Sequence, residues 1–280
     1  MRARATLAGL ATLAGGCGGG APLLHPAHAL APGAVRMGAG VSSTLVSGGA
    51  KTAMDDARRA VTAQGAVATP ADEAAFARGA LASILLAPGL APWVGARAGF
   101  GAGDAGLTYS GRAVRVDGRA VTGDEHLALS AGLGASGVLQ RPSTGAPSDG
   151  GRGGDGLPGL DATDVSGWGL DLPALVGWRS DGRVVELWAG LRAGYERAGG
   201  TVVLGVDPDP AVRRELELRG ERLYGGGLVG VAVGVAPVWA ALELDASYQR
   251  VTGELAAGFG GEARLTGLAL APSAALLAEF

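Results

Sequence analysis

The strongest regularity in this chain is a period of two. Val229, Val231, Val233 and Val235 alternate with Gly230, Ala232 and Gly234, which puts β-branched side chains on one face of a strand and tiny ones on the other. After Ala236-Pro237 the pattern resumes. Leu242, Leu244, Ala246 and Tyr248 share one face, and Glu243, Asp245, Ser247 and Gln249 share the other. Residues 124–139, 165–179 and 183–198 alternate in the same way, the second of them setting Trp168, Leu170, Leu172, Ala174, Val176 and Trp178 against Gly169, Asp171, Pro173 and Gly177. Two long uncharged runs, Gly79 to Ala96 and Leu223 to Leu242, are broken by Pro88, Pro92 and Pro237, so each reads as two strands and a turn rather than one helix. The pattern predicts ten strands, at 34–46, 75–87, 91–101, 104–116, 124–139, 165–179, 183–198, 221–235, 238–252 and 264–280. Residues 47–74, with AMDDARRAV, carry a possible loop helix, and Thr69-Pro70 followed by Asp72-Glu73 is a fair helix start that would take the second strand out of the count. An added hairpin in 215–227 would raise the count to twelve, and eight is the other alternative.

One alternating strand does not say which face is inside. In a soluble sheet Leu and Tyr point inward, and in a membrane barrel they point to lipid while the acids line a lumen. Strand length and loop asymmetry favour the second. Several segments exceed the usual five or six residues, and about 9–11 tilted residues cross a bilayer. Ser180-Asp181-Gly182 and Ala236-Pro237 make tight turns on one side, and the connections 140–164, 199–220 and 253–263 are long and fall on the other, as in membrane barrels. Trp93, Trp168, Trp178, Tyr195, Tyr224, Trp239 and Tyr248 lie near strand ends, where an interfacial girdle would place them. The expected fold class is all-β, a transmembrane antiparallel up-and-down β-barrel of about ten strands. The rival is a soluble periplasmic β-sandwich binding protein.

The final stretch, Leu268 to Phe280, resembles the C-terminal signal of bacterial outer-membrane β-barrels, with Phe280, Ala278, Leu276 and Ala274 on one face and Pro272 as a departure. That resemblance implies that Phe280 is read by the barrel-assembly machinery and that outer-membrane lipids surround the protein. At the other end, Arg2 and Arg4 precede a ten-residue apolar stretch too short to span a bilayer, and Leu13-Ala14-Gly15-Gly16-Cys17 resembles a lipobox, departing from it at Ala14. The resemblance implies cleavage before Cys17 and lipidation of that residue. Gly18 after it resembles lipoproteins sorted to the outer membrane. Ala27-His28-Ala29 offers a rival cleavage site. The resulting division is a signal peptide at 1–16, a linker at 17–33 and a barrel at 34–280, localised to the bacterial outer membrane.

Composition excludes several functions. Charged residues are 18% of the chain, Gly numbers 52, Asn is absent and Lys and Ile occur once each, at Lys51 and Ile84. The apolar content is too high for disorder, and a net charge of −3 gives no sign of a nucleic-acid partner. Cys17 is the single Cys, so no disulfide staples the fold. Gly101 to Gly106 and Gly132 to Gly137 fit G-x-G-x-x-G, but neither precedes a helix that would hold a pyrophosphate. His25 and His28 fall in the leader or linker, leaving only His126 in the body, so no metal, cofactor or catalytic site is expected. The phasing turns Arg36, Arg97, Arg112, Asp171, Glu186, Arg192, Glu196, Glu243 and Asp245 into the lumen. A barrel of eight strands is already filled by side chains, so ten strands with both signs of charge inside predict a narrow, plugged lumen and a structural or surface-interaction role. A narrow ion or small-solute channel is the alternative, and the Gly-, Pro- and Asp-rich loop 140–164 is a candidate contact for an extracellular ligand.

Overall fold

A computed structural model describes residues 22–62, 69–110, 113–138, 161–204, 214–255 and 261–280. The strands are β1 (Val35–Val46), β2 (Gly89–Gly99), β3 (Gly103–Tyr109), β4 (Ala113–Gly123), β5 (Leu127–Val138), β6 (Asp161–Arg179), β7 (Val185–Leu204), β8 (Arg214–Val235), β9 (Val238–Leu255) and β10 (Gly261–Glu279). Each pairs antiparallel with its sequence neighbours, and β1 pairs with β10, so a single sheet closes on itself as an up-and-down barrel. The closing seam runs from Arg36 opposite Glu279 to Val46 opposite Ala269. Val35 and Phe280 seal it by exchanging backbone hydrogen bonds, each 2.9 Å. Closure removes the free edges that a two-sheet sandwich would keep.

The expected number of strands is correct, but two of the expected segments are not. Residues 75–87 are helical, part of α2 (Pro70–Leu86), which follows α1 (Gly49–Thr62) in the excursion between β1 and β2. The segment shows no alternation and, with Arg78 its one charge, is rich in the helix formers Ala and Leu, and the helix it belongs to begins with a complete cap. Asp72 N donates to Thr69 Oγ1 at 3.3 Å, and Thr69 N donates back to the Asp72 carboxylate at 3.0 Å. Residues 104–116 are not one strand: the chain turns after Ser110, giving the hairpin β3–β4. One strand lost and one gained leave ten.

The wall is uneven. Strands β6 to β10 are 18–22 residues long, and β1 to β5 only 7–12. The rim at Val35 and Phe280 (the near rim) carries the short turns 100–102, 124–126, 180–184 and 236–237, and the far rim carries the helices and the longer connections. At the far rim α1 and α2 pack against the inner face of the tall wall. Phe76, Leu81, Ile84 and Leu85 share a buried cluster with Val202, Leu216, Leu218, Val251 and Leu265. Leu81 reaches the backbone of β8 and β9 because Gly220 and Gly253 lack side chains, a Cβ at either position falling 2.7 or 2.5 Å from its methyl groups.

Polarity reverses along the tall strands. On the outer face of β8, Glu217, Arg219 and Glu221 give way to Leu223, then Val229, Val233 and Val235. On its inner face Leu216 and Leu218 give way to Arg222. Strand β9 changes between Arg250 and Tyr248 outside, and between Val251 and Gln249 inside. The register ties Tyr195 to Leu223 and Tyr248 to Leu268, so the change follows one line across β7 to β10. Between that line and the near rim the outer face is apolar, and the inner face carries the charges together with a buried apolar cluster that includes Trp93, Trp188 and Trp239.

Candidate functional site: the filled lumen

Within the apolar belt, the inward positions of the strands hold three linked sets of charges. The largest is a ladder of alternating sign. Arg119 donates to both oxygens of Asp104 at 2.7 and 2.8 Å, and Arg97 joins Asp104 to Asp117. Arg115 then binds Asp117 and reaches Asp171 through two bonds of 2.8 and 3.0 Å, and Arg192 donates at 3.1 Å to Asp171 Oδ2, which it shares with Arg115. The ladder runs along neighbouring strands, from β2, β3 and β4 over Gly134 of β5 to β6 and β7, so it lines one side of the lumen as a continuous band. Glycines on the inner face make the room: a Cβ at Gly134 would stand 2.4 Å from Asp171 Oδ1 and 2.5 Å from Arg115 Nη2. Paired in this way, each ion keeps the hydrogen bonds that burial would otherwise remove.

The second set lies at the near rim. Arg36 and Arg183 both donate to Glu279, at 2.7 and 2.8 Å, and Arg179 lies 2.8 Å from Glu186, which is 1% exposed. The guanidiniums of Arg36 and Arg183 also cover the ring of Trp239. Because Arg36 and Glu279 belong to β1 and β10, this set ties the seam to the β6–β7 turn. The third set sits under the helices. Arg222 donates to Glu196 at 3.0 Å, to Gln249 at 2.6 Å and to the carbonyl of Leu85 at 3.1 Å, joining α2 to the wall.

The residues expected in the lumen therefore separate into these sets. Arg97, Asp171 and Arg192 belong to the ladder, Arg36 and Glu186 to the rim, and Glu196 to the helix anchor. Glu243 is buried and accepts from Trp188 Nε1 at 3.0 Å. Asp245 is half-buried within electrostatic reach of Arg192. Arg112, Cys17 and residues 140–160 of the expected loop lie outside the described residues, and 161–164, expected in that loop, instead begin β6. Phe280 is exposed on the near rim at the seam.

Asp104, Arg115, Asp117, Arg119 and Arg222 were not anticipated. The signal for three of them was Val114-Arg115-Val116-Asp117-Gly118-Arg119, a clean alternation hidden by reading 104–116 as a single strand. The expected aromatic girdle needs correction too. Trp168, Trp178 and Tyr248 face outward, and Tyr195 stacks beside Trp168 at 5.6 Å. Trp93, Tyr224 and Trp239 are buried inside at 5, 6 and 2% exposure, because nearness to a strand end says nothing about which face a residue occupies. His25 and His28, expected in a leader or linker, are buried within the barrel.

At the near rim, Asp124 shapes the β4–β5 turn. Its Oδ1 accepts the backbone N–H groups of Leu127 and His126, both at 2.8 Å, and these hold its carboxyl below the usual carboxylate range. Among the described residues no helix is long and apolar enough to cross a membrane, and no three His, Cys, Asp or Glu side chains are grouped to hold a metal ion.

No family model matches the chain, and no curated protein does. Among solved structures, the barrel is similar to Neisserial surface protein A, with 13% identity and a TM-score of 0.30, over 89% of this chain and 99% of that one. It is similar also to the CymD monoaromatic hydrocarbon channel, with 9% identity and a TM-score of 0.28, over 90% of this chain and 89% of that one. Likenesses this distant carry no weight for the lumen, whose chemistry belongs to this chain's own residues.

Proposed function

We propose that this protein is a bacterial outer-membrane β-barrel with a sealed lumen, acting as a structural and surface-presenting scaffold rather than as an open channel or an enzyme. One observation carries the reading, the inverted polarity of the wall. A charge facing lipid at mid-bilayer costs about 2–4 kcal/mol for Arg or Lys, and between the Tyr195–Leu223–Tyr248 line and the near rim the described strand charges turn inward while the outward positions are held by uncharged residues such as Leu129, Leu172, Val176, Leu191 and Val229. The dimensions agree. Trp168 and Trp178 lie on one face of β6, and ten residues rise about 33 Å along a strand, or about 25 Å along the axis at a tilt of about 40°, the height of an outer-membrane apolar band. On this reading the near rim, with its short turns, faces the periplasm, and the tall wall with its helices stands outside the cell.

Export by the N-terminal leader and acylation of Cys17 belong to the same reading. The membrane assignment is tested by fractionation: the chain is expected in the outer membrane, with gel mobility that changes on boiling, and release without detergent would sink it. The sealed lumen is tested in planar bilayers, where insertion without conductance is expected and regular conductance steps would favour the channel. Labelled palmitate that fails to enter the protein would reject the lipid anchor.

A further inference from the structure

The near half of the lumen is filled by the chain itself. Residues 22–34 have no regular helix or strand, yet Pro22 to Leu30 are all buried apart from half-buried Ala29. The wall holds this segment by its backbone. Leu23 N and Leu24 N donate to the two oxygens of Glu243 at 2.8 and 2.9 Å, and Leu30 N donates to Asp104 at 3.3 Å. Arg119 donates to the carbonyl of His28 at 2.8 Å and to that of Pro26. Leu23, Leu24 and Ala27 complete a buried cluster with Trp93, Leu175, Trp188, Trp239 and Leu277.

The seat is built into the wall. A Cβ at Gly99 would lie 2.4 Å from the carbonyl oxygen of Ala31 and 2.6 Å from that of Leu30, and one at Gly177 would lie 2.7 Å from Ala27 Cβ. Even alanine at these two wall positions would collide with the segment. Leu24 has a φ of 47°, a conformation that persists in a non-Gly residue only where its surroundings impose it.

We propose that residues 22–31 are a permanent inner plug of the mature barrel, and that leader removal therefore takes place upstream of Pro22, as cleavage at Cys17 would do, and not after Ala29. Cleavage after Ala29 would take from buried Glu243 two of the three donors it has among the described residues, and from Arg119 both of its carbonyl acceptors. A buried ion that loses partners is strongly destabilised. It would also leave Trp93, Trp188 and Trp239 facing an emptied cavity.

The inference rests on the export reading for its leader but not for its seat, and the wild-type protein suffices to test it. Peptide mass mapping of the protein purified from cells is expected to find a mature terminus at or before Pro22, and a terminus past Pro22 overturns the proposal. Hydrogen exchange on the folded barrel in detergent is expected to show the amides of Leu23, Leu24 and Leu30 protected by about 100-fold or more over an unstructured peptide, in keeping with a buried, cooperative unit. Exchange at the free-peptide rate overturns it. Failure of the membrane reading is scored separately, by fractionation, because terminus and exchange are measured in whichever fraction holds the folded chain.

Discussion

Asp171 accepts from Arg115 and Arg192 at once. Asp171→Ala is expected to destabilise the barrel by about 3–5 kcal/mol, since two buried guanidiniums lose a shared acceptor. Chemical unfolding in detergent micelles, followed by tryptophan fluorescence, measures it, and an unchanged midpoint would contradict the pairing. At the β4–β5 turn the effect is one of pH. The carboxyl of Asp124 is depressed in the folded state, so its contribution is fully present above the unfolded value near 3.9 and is lost as pH falls through the lower folded value. Exchange at the His126 and Leu127 amides is therefore expected to lose its protection only below about pH 4, after correction for intrinsic rates. Single residues were legible where alternation was unbroken: parity puts Asp171, Glu186, Arg192 and Glu243 on the face opposite the apolar residues, and strand length and loop asymmetry turn that face inward. Asp104 and Arg119 were not, because a single strand over 104–116 passes over the turn dipeptide Ser110-Gly111 and stops short of Arg119.

Among the elements, α2 was the least legible. Gly79, Pro88 and the lack of charge after Arg78 made residues 75–87 resemble one half of a strand pair, whereas the cap at Thr69 and the absence of any two-residue period select a helix. The deciding interaction is tertiary, a docking onto the tall wall that no window of sequence contains. Leu81 is the residue to probe. It is fully buried over Gly220 and Gly253, and Leu81→Ala is expected to cost about 2–5 kcal/mol, in a site whose glycines leave little with which to refill the cavity. The loss should be confined to the cap. Faster proteolysis at the far rim with unchanged heat-modifiable mobility is the expected result, and loss of the barrel itself would show that the helices are needed for closure. The strands of the tall wall were legible within a few residues inside the apolar belt. Beyond the Tyr195–Leu223–Tyr248 line they run on further than expected, because there the apolar residues face the helices rather than the outside, and the same period carries the opposite meaning.

At the scale of the whole molecule the five tryptophans report the arrangement directly. Trp168 and Trp178 face outward, and Trp93, Trp188 and Trp239 are buried in the barrel. Reconstituted into bilayers of brominated lipid, the first two are expected to be quenched and the other three spared, so fluorescence falls only in part. Variants with Phe at both Trp168 and Trp178 should lose nearly all of the quenching, and quenching that persisted in them would invert the assignment of faces. Sequence alone made the closed sheet legible, through alternation, loop asymmetry and the terminal strand ending at Phe280, but it gave no warning that residues before the first strand return to occupy the interior. That segment has no periodicity, and its partners Glu243, Arg119 and Asp104 come from three distant strands. A passage stoppered by covalent parts of the same polypeptide obeys different rules from one closed by a ligand. Its occupancy does not depend on concentration, and its opening is a local unfolding event. Permeability through such a protein would rise with heat or denaturant, as a property of folding stability, and would be indifferent to any solute offered at either mouth.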